Sequence, residues 1–296
     1  MTEKRWHRRA GSLARGQWSL ELTPDEAGWS WSSLRTVELA PGGSCTFPTG
    51  EEEMLVLSLS GSCTVKCGDD SCTLIGRRSP LSGEVSDFAY VPLGARATLF
   101  TAGGGRFAVP GARAARSLPF RYQPAANVPV ELRGAGSCSR RVANFCTPEA
   151  FEADRLIACE VLTPAGNWSS YPPHKHDEDR DGETALEEIY YFELADGPVG
   201  PGIAYQRVYG HDRRAIDVMA EVGTGDVVLV PYGWHGPSMA VPGYDMYYLN
   251  VMAGAGERAW RICDDPAHTW VRSTWASQEV DARLSAPPLS GGPGAA

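Results

Sequence analysis

Long apolar runs are missing from this chain of 296 residues. Nowhere do eighteen apolar residues follow one another, which excludes a membrane-spanning helix. Basic charge is in deficit: the formal net charge is −9, and Lys and Arg crowd together only in the start Trp6–Arg9. No surface suited to a phosphate backbone is expected, so nucleic acid is excluded as the main partner. The basic start has no apolar stretch behind it and does not read as a secretory signal. Among the eight cysteines there is no C-x-x-C pair, and Cys63, Cys67 and Cys72 have spacings that fit no zinc pattern. They read as reduced thiols, and a cytoplasmic protein is the expectation. Helical periodicity is scarce too. The single candidate is a short helix at Pro148–Arg155 capped by Thr147. Histidine is rare, with six in all and none between His7 and His174.

What the chain does have is a dense series of short strand-like runs, such as SLRTVELAP, EMLVLSLSG, DFAYVPLG and RATLFTAGG, broken by Gly, Pro, Ser and Asp. This spacing predicts an all-β sandwich or barrel. An internal repeat supplies the organisation. The pattern D-x-x-x-V-P-x-G occurs at Asp87–Gly94 and again, roughly 140 residues on, at Asp226–Gly233. Upstream of each, an acidic pair leads a strand: Glu52-Glu53 before MLVLSLSG, Glu187-Glu188 before IYYFELADG. The expectation is two copies of one β-domain, 18–123 and 146–285, joined by a connecting segment, 124–145. The first ten or so residues should be frayed and the tail 286–296, rich in Pro, Gly and Ala, disordered.

The copies differ where chemistry would sit. In a strand, residues two apart share a face, so His174 and His176 can present two imidazoles together while Lys175 points away. If Glu188 opens a neighbouring strand, its carboxylate can join them, with Tyr190 and Phe192 inward and Glu187 and Tyr191 outward. His235 follows the strand-ending Pro231-Tyr232-Gly233. A lone histidine is usually a satisfied core or surface residue, and His-x-His alone is a weak signal. Three imidazoles and a carboxylate together make a set for a first-row divalent metal. The first copy has Ala95-Arg96 where the second has Trp234-His235, so it should be metal-free and structural. His211 and His268 read as exposed or capping residues.

A β-domain with His-x-His, Glu, then G-x5-P-x-G and His resembles the cupin superfamily, and two copies resemble a bicupin, in which each domain is a jelly-roll-like double-stranded β-helix. The gap from His176 to Glu188 is longer than usual in cupins, and Met239 stands where an Asn is common. These departures point to one branch. SSYPPHKHD, LEEIYY, QRVY, VVLVP-x-G-x-H, PGYD-x-YYLNVMAG and DP-x-H-x-W resemble the 5-deoxy-glucuronate isomerases of bacterial myo-inositol catabolism, relatives of the 5-keto-4-deoxyuronate isomerases. TGEEEMLVLSLSG, YVPLG and VELRGAGSCSRRVANF extend the likeness through the first half.

The resemblance implies an aldose–ketose isomerase that takes a small sugar acid, 5-deoxy-D-glucuronate, to 5-dehydro-2-deoxy-D-gluconate through an ene-diolate. Its metal ligands carry over onto His174, His176, Glu188 and His235. Zinc is the first expectation, and manganese or iron suits the same ligands. Tyr190 and Tyr248, or a hydroxide on the ion, are candidates to move the proton. Arg207, then Arg140 or Arg141, would grip the substrate carboxylate. The sequence departs from the family at Tyr232 and Trp234, where Arg and Tyr are usual, and at Phe192, where His is common. These three should flank the site. A bicupin iron oxygenase and a sugar-binding protein without catalysis are the alternatives. Paired sheet edges would give a homo-oligomer, which no residue specifies.

Overall fold

The computed structural model describes residues 3–211 and 214–284; the tail from 286 lies outside the described residues. The architecture is all-β, as expected. No α-helix among the described residues exceeds four residues, and none is long and apolar enough to cross a membrane. The first half forms a nine-stranded sheet. Its organiser is the sixteen-residue strand Glu52–Cys67. The first part of this strand pairs with Phe88–Val91 and Gly105–Arg113, the second part with Asp70–Arg77 and Arg96–Phe100. One strand thereby serves two layers.

The second half forms a seven-stranded and a six-stranded sheet. In the first of these, Glu187–Leu194 lies between Val227–Val230 and Met246–Ala253. In the other, Trp234–Ala240 pairs with Ala204–His211, and with His174–Lys175 through the register His174 to His235. The strand Arg214–Val222 alternates, with Ile216, Val218, Ala220 and Val222 buried and Asp217, Met219 and Glu221 exposed, as a sheet with one wet face requires. The strands Val227–Val230 and Met246–Ala253 are buried at every residue. Both their faces are covered, which is why they read as continuous apolar runs.

Three expectations need correction. Residues 6–10 are not frayed: Trp6 is buried, His7–Arg8 pairs with Val227–Val228, and the Ala10 N–H donates to Asp226 over 2.7 Å. The expected helix at Pro148–Arg155 is a single turn, in which the Ala150 and Phe151 N–H groups reach the Thr147 carbonyl. It stops because the N–H groups of Asp154, Arg155 and Leu156 donate instead to the Glu53 carboxylate, at 2.8, 2.6 and 2.7 Å. The stretch 124–145 does more than connect. Its strands Val130–Arg133 and Arg140–Cys146 extend the seven-stranded sheet.

The registers also refine the repeat. Val91 and Val230 occupy the same place in the two D-x-x-x-V-P motifs, and they face Met54 and Glu188 respectively. The counterpart of Glu188 is therefore Met54, and Glu53 matches Glu187. Contacts agree with this shift by one residue. Glu187 accepts from the N–H groups of Ser30, Trp31 and Ser32 in the other half, at 2.8, 2.9 and 3.1 Å, as Glu53 does from 154–156. Each carboxylate secures the backbone leading into a strand of the opposite half. Thus Glu187 and Tyr191 point out of their barrel as expected, but onto the other half, where Glu193 forms a two-bond pair with Arg106.

Candidate metal centre and its cavity

The imidazoles of His174, His176 and His235 converge until one nitrogen from each lies within 4.8 Å of the others. His176 and His235 are fully buried and His174 nearly so. Backbone carbonyls set the rings: Leu186 O meets Nδ1 of His176 and Gly233 O meets Nδ1 of His235, each at 3.2 Å, while Pro172 bonds His174. Such outer contacts fix the tautomer and turn the other nitrogen of each ring toward the centre. Glu188 completes the group, with Oε2 at 3.0 Å from His176 Nε2 and 2.9 Å from His235 Nε2. The second contact is out of line for a hydrogen bond, so the buried Nε2 of His235 has no hydrogen-bond partner. A buried lone pair among two more imidazoles and a carboxylate is the donor set of a divalent ion, and the residues fit that group.

The charges follow the geometry. Burial, then the neighbouring rings, hold His174 well below the usual imidazole value. Burial also opposes protonation of His176, but the hydrogen bond and charge of Glu188 outweigh it. Burial would raise the Glu188 carboxyl, yet His235 and His176 bring it down to about 2.

The long gap between His176 and Glu188 is filled by an ionic knot. Lys175 is buried, and its Nζ lies 2.7 Å from both Asp177 and Glu183 and 3.1 Å from Glu178. Asp177 also accepts the Gly233 N–H at 2.9 Å and faces His211 at 3.2 Å. The loop after His176 is thereby tied to the turn before His235, and His211 is half-buried in that tie rather than free on the surface. The Lys175 ammonium bridges all three carboxylates, and Arg180 adds a second cation 2.7 Å from Glu183.

Beside the histidines opens a cavity of about 420 Å³, lined in part by His174, Glu188, Tyr190 and Tyr248, large enough for one sugar-sized molecule. The Ser170 hydroxyl joins the two phenols, 3.1 Å from Tyr190 and 3.2 Å from Tyr248. Ser170 holds a left-handed backbone with φ of 48°. The strand bearing His235 can approach it only through Gly236, where a Cβ would stand 1.8 Å from the Ser170 carbonyl oxygen. Burial, reinforced by Glu188, raises the Tyr190 phenol, and burial raises Tyr248 despite the Arg140 charge. Both are O–H donors at neutral pH, which weakens the expectation that either serves as a base.

Of the three arginine candidates only Arg140 lines this cavity. Arg141, next on the strand, faces the other way and donates to Gly83 O. Arg207 lies on the outer face of its sheet against Asp217, because alternation turns Gln206 inward. Phe192 sits beneath the tyrosines, stacked on Tyr190 with centroids 6.0 Å apart. Tyr232 bonds Ala215 O and Trp234 lies under Lys175. None of these three lines the cavity. Residues the sequence did not single out do: Ser170, Asn250, Trp260, Asp264, and the arginines Arg133 and Arg272. Ser170 and Asn250 stood inside recognised motifs, so position was legible and role was not.

Comparison with known proteins agrees with this picture. The model of the KduI/IolB family matches residues 6–271. The chain is 41% identical to the 5-deoxy-glucuronate isomerase of Geobacillus kaustophilus over 254 residues, covering 85% of this chain and 90% of that protein. It is 36% identical to the Bacillus subtilis enzyme of the same name, covering 85% and 91%. The crystal structure of an IolB-like protein from Salmonella typhimurium superposes with a TM-score of 0.83 at 35% identity, covering 90% of this chain and 98% of that one. An oxalate decarboxylase of Bacillus subtilis, at 14% identity and a TM-score of 0.60 over 88% and 79%, shares the cupin fold alone.

Proposed function

Because the chain belongs to the KduI/IolB family, we propose that it is a metal-dependent aldose–ketose isomerase converting 5-deoxy-D-glucuronate to 5-dehydro-2-deoxy-D-gluconate in myo-inositol catabolism. The observation that carries the reading is the buried group of three tautomer-fixed histidines and Glu188, opening on a cavity of sugar size. His174, His176, His235 and Glu188 would hold the ion, zinc first, with manganese or iron suiting the same donors. When bound, such an ion supplies Lewis acidity that polarises the substrate carbonyl and stabilises the ene-diolate.

The chain's own groups do the rest. Tyr190 and Tyr248 keep their protons, so they act as hydrogen-bond donors to the oxygens on which negative charge develops. Ser170 holds both phenols in place and provides a path along which a proton can pass between them. Phe192, packed under both rings, excludes water from the barrel floor.

The test uses protein stripped with a chelator, reloaded with zinc, manganese or iron and given 5-deoxy-D-glucuronate anaerobically, with product followed by NMR. Turnover that needs both the ion and His174, lost in His174→Ala, is expected. A protein that binds metal tightly yet turns nothing over without oxygen would overturn the reading.

A further inference from the structure

We propose that Arg140, flanked by Arg133 and Arg272, forms a carboxylate subsite in the cavity and makes the protein select acidic sugars over neutral ones. The substrate named rests on the isomerase reading above; the subsite itself rests on charge bookkeeping within the cavity. A buried guanidinium ordinarily faces a carboxylate. Elsewhere in this molecule that rule holds: Arg77 grips Glu160 at 2.8 and 2.7 Å, and Arg106 grips Glu193 at 2.8 and 2.8 Å. Arg140 is only 6% exposed, and among the described residues its one hydrogen bond is from Nη1 to the Cys138 carbonyl, at 3.1 Å. Its other N–H groups are neither bonded nor sealed in, and the residue lines the cavity.

The neighbours cannot supply the missing anion. Arg133 is held by Glu131 at 3.1 and 2.8 Å, and Arg272 by Asp264, with Nη2 at 2.7 Å. Of these three cations, Arg133 and Arg272 each have a carboxylate within ion-pair distance, and among the described residues Arg140 has none. Burial draws Arg140 down to about 10; Tyr248 opposes it, and the like charges of Arg133 and Arg272 add smaller pulls in the same direction as burial, so it stays charged at neutral pH. The Trp275 ring face lies 5.7 Å from the Arg140 guanidinium and carries no formal charge to neutralise it, and Trp260 and Asn250 line the same cavity. A monoanion with additional oxygens pairs with Arg140 in the cavity that His174 and Glu188 also line.

The experiment compares 5-deoxy-D-glucuronate with its neutral counterpart, 5-deoxy-D-glucose, on wild type, Arg140→Met and Arg140→Lys, all metal-loaded. For Arg140→Met, kcat/KM on the acid should fall roughly 10²- to 10³-fold, with the neutral sugar changed less than threefold. Arg140→Lys, which keeps the charge without the planar fork, should recover part of the loss, and it carries the comparison if the Met variant does not fold. A second arm measures D-glucuronate binding by calorimetry at low and high salt. A wild type that turns over neither sugar but binds D-glucuronate through Arg140 refutes the isomerase and keeps the subsite. Equal losses on both sugars, an acid kcat/KM within threefold of wild type, or, where turnover is absent, no D-glucuronate binding would each overturn the subsite.

Discussion

The two halves share a strand plan and part company along one row of side chains. In the first, Met54, Val56, Val65, Phe47, Leu99 and Phe107 fill the barrel with apolar groups. In the second, the strand matching Met54 and Val56 carries Glu188 and Tyr190, and the interior opens into the cavity. On the strands of the filled barrel, the buried Glu52 pairs with Arg35 at 3.0 Å. The open one buries a carboxylate against two of three converging imidazoles and leaves the Nε2 of His235 without a hydrogen-bond partner, and it keeps a guanidinium that no carboxylate pairs among the described residues. Identical backbone pairing thus supports a packed core or a chemical site. The inward residues decide which, and the outward ones bind the halves through Glu53 and Glu187.

Exchanging the two inward residues should break the comparison most severely. Met54→Glu puts a carboxyl among apolar neighbours with no partner, and the stability of the metal-free protein should fall by about 3 kcal/mol or more. Glu188→Met should cost far less in the same metal-free state, about 1 kcal/mol, because the histidines it leaves can simply go neutral rather than stand as stranded charges. It should nevertheless abolish tight metal binding. Urea unfolding after chelation, beside metal titration, checks both. Similar losses for the two variants would mean that the barrels are not the packed and open pair described.

Most of this was legible in the sequence, for a physical reason. Strand patterning and the D-x-x-x-V-P-x-G repeat report backbone geometry, which alternation and turn chemistry fix locally. His174, His176, Glu188 and His235 could be gathered because a ligand set constrains residue type as well as place. The arginines could not be ranked. Arg140 and Arg141 are chemically the same residue one position apart, and only the register of their strand decides which faces the cavity. Arg207 was placed by its motif and displaced by its pleat. The frayed start was misread because His7 finds its partner, Asp226, across the whole chain, and no local pattern announces such a contact. The one-residue slip between Glu52-Glu53 and Glu187-Glu188 has the same origin: composition aligns acidic pairs, while hydrogen bonding aligns strands.

The outward pair sharpens the comparison with a smaller effect. Glu53→Gln and Glu187→Gln each keep the side chain's size but set an amide against three backbone N–H donors. Each should lose about 1–3 kcal/mol of stability. They should differ in the site. Glu187 adjoins Glu188 on one strand, so its variant should also weaken metal binding, on the order of 10-fold as for other groups that orient ligands. Glu53, adjoining Met54, should leave it unchanged. Equal weakening by both would show that the halves act on the centre as one body.

The smallest effect concerns the two repeat aspartates, which occupy the same place and do different work. Asp87 accepts the N–H groups of Ile75 and Gly76 and the Tyr122 hydroxyl, at 2.7, 3.0 and 2.8 Å. Asp226 accepts from Ala10 and Gly223 and faces His7 at 3.0 Å, pinning the start of the chain. Burial opposes ionisation of Asp226, but His7 and the two N–H groups outweigh it and hold its carboxyl below the usual range. With the folded value depressed, its contribution to stability is fully present above the ordinary carboxylate value, about 4, and is lost as pH falls through the lower folded value. Between pH 5 and 3, amide exchange at residues 6–10, corrected for its intrinsic rate, should therefore quicken before that of the Glu187–Leu194 strand. Asp226→Asn should show fast exchange in that segment at both ends of the range, while Asp87→Asn should leave the segment untouched. If the segment exchanges at a constant corrected rate from pH 5 to 3 in the wild type, His7 and Asp226 do not hold it, and the pairing of His7–Arg8 with Val227–Val228 must suffice alone.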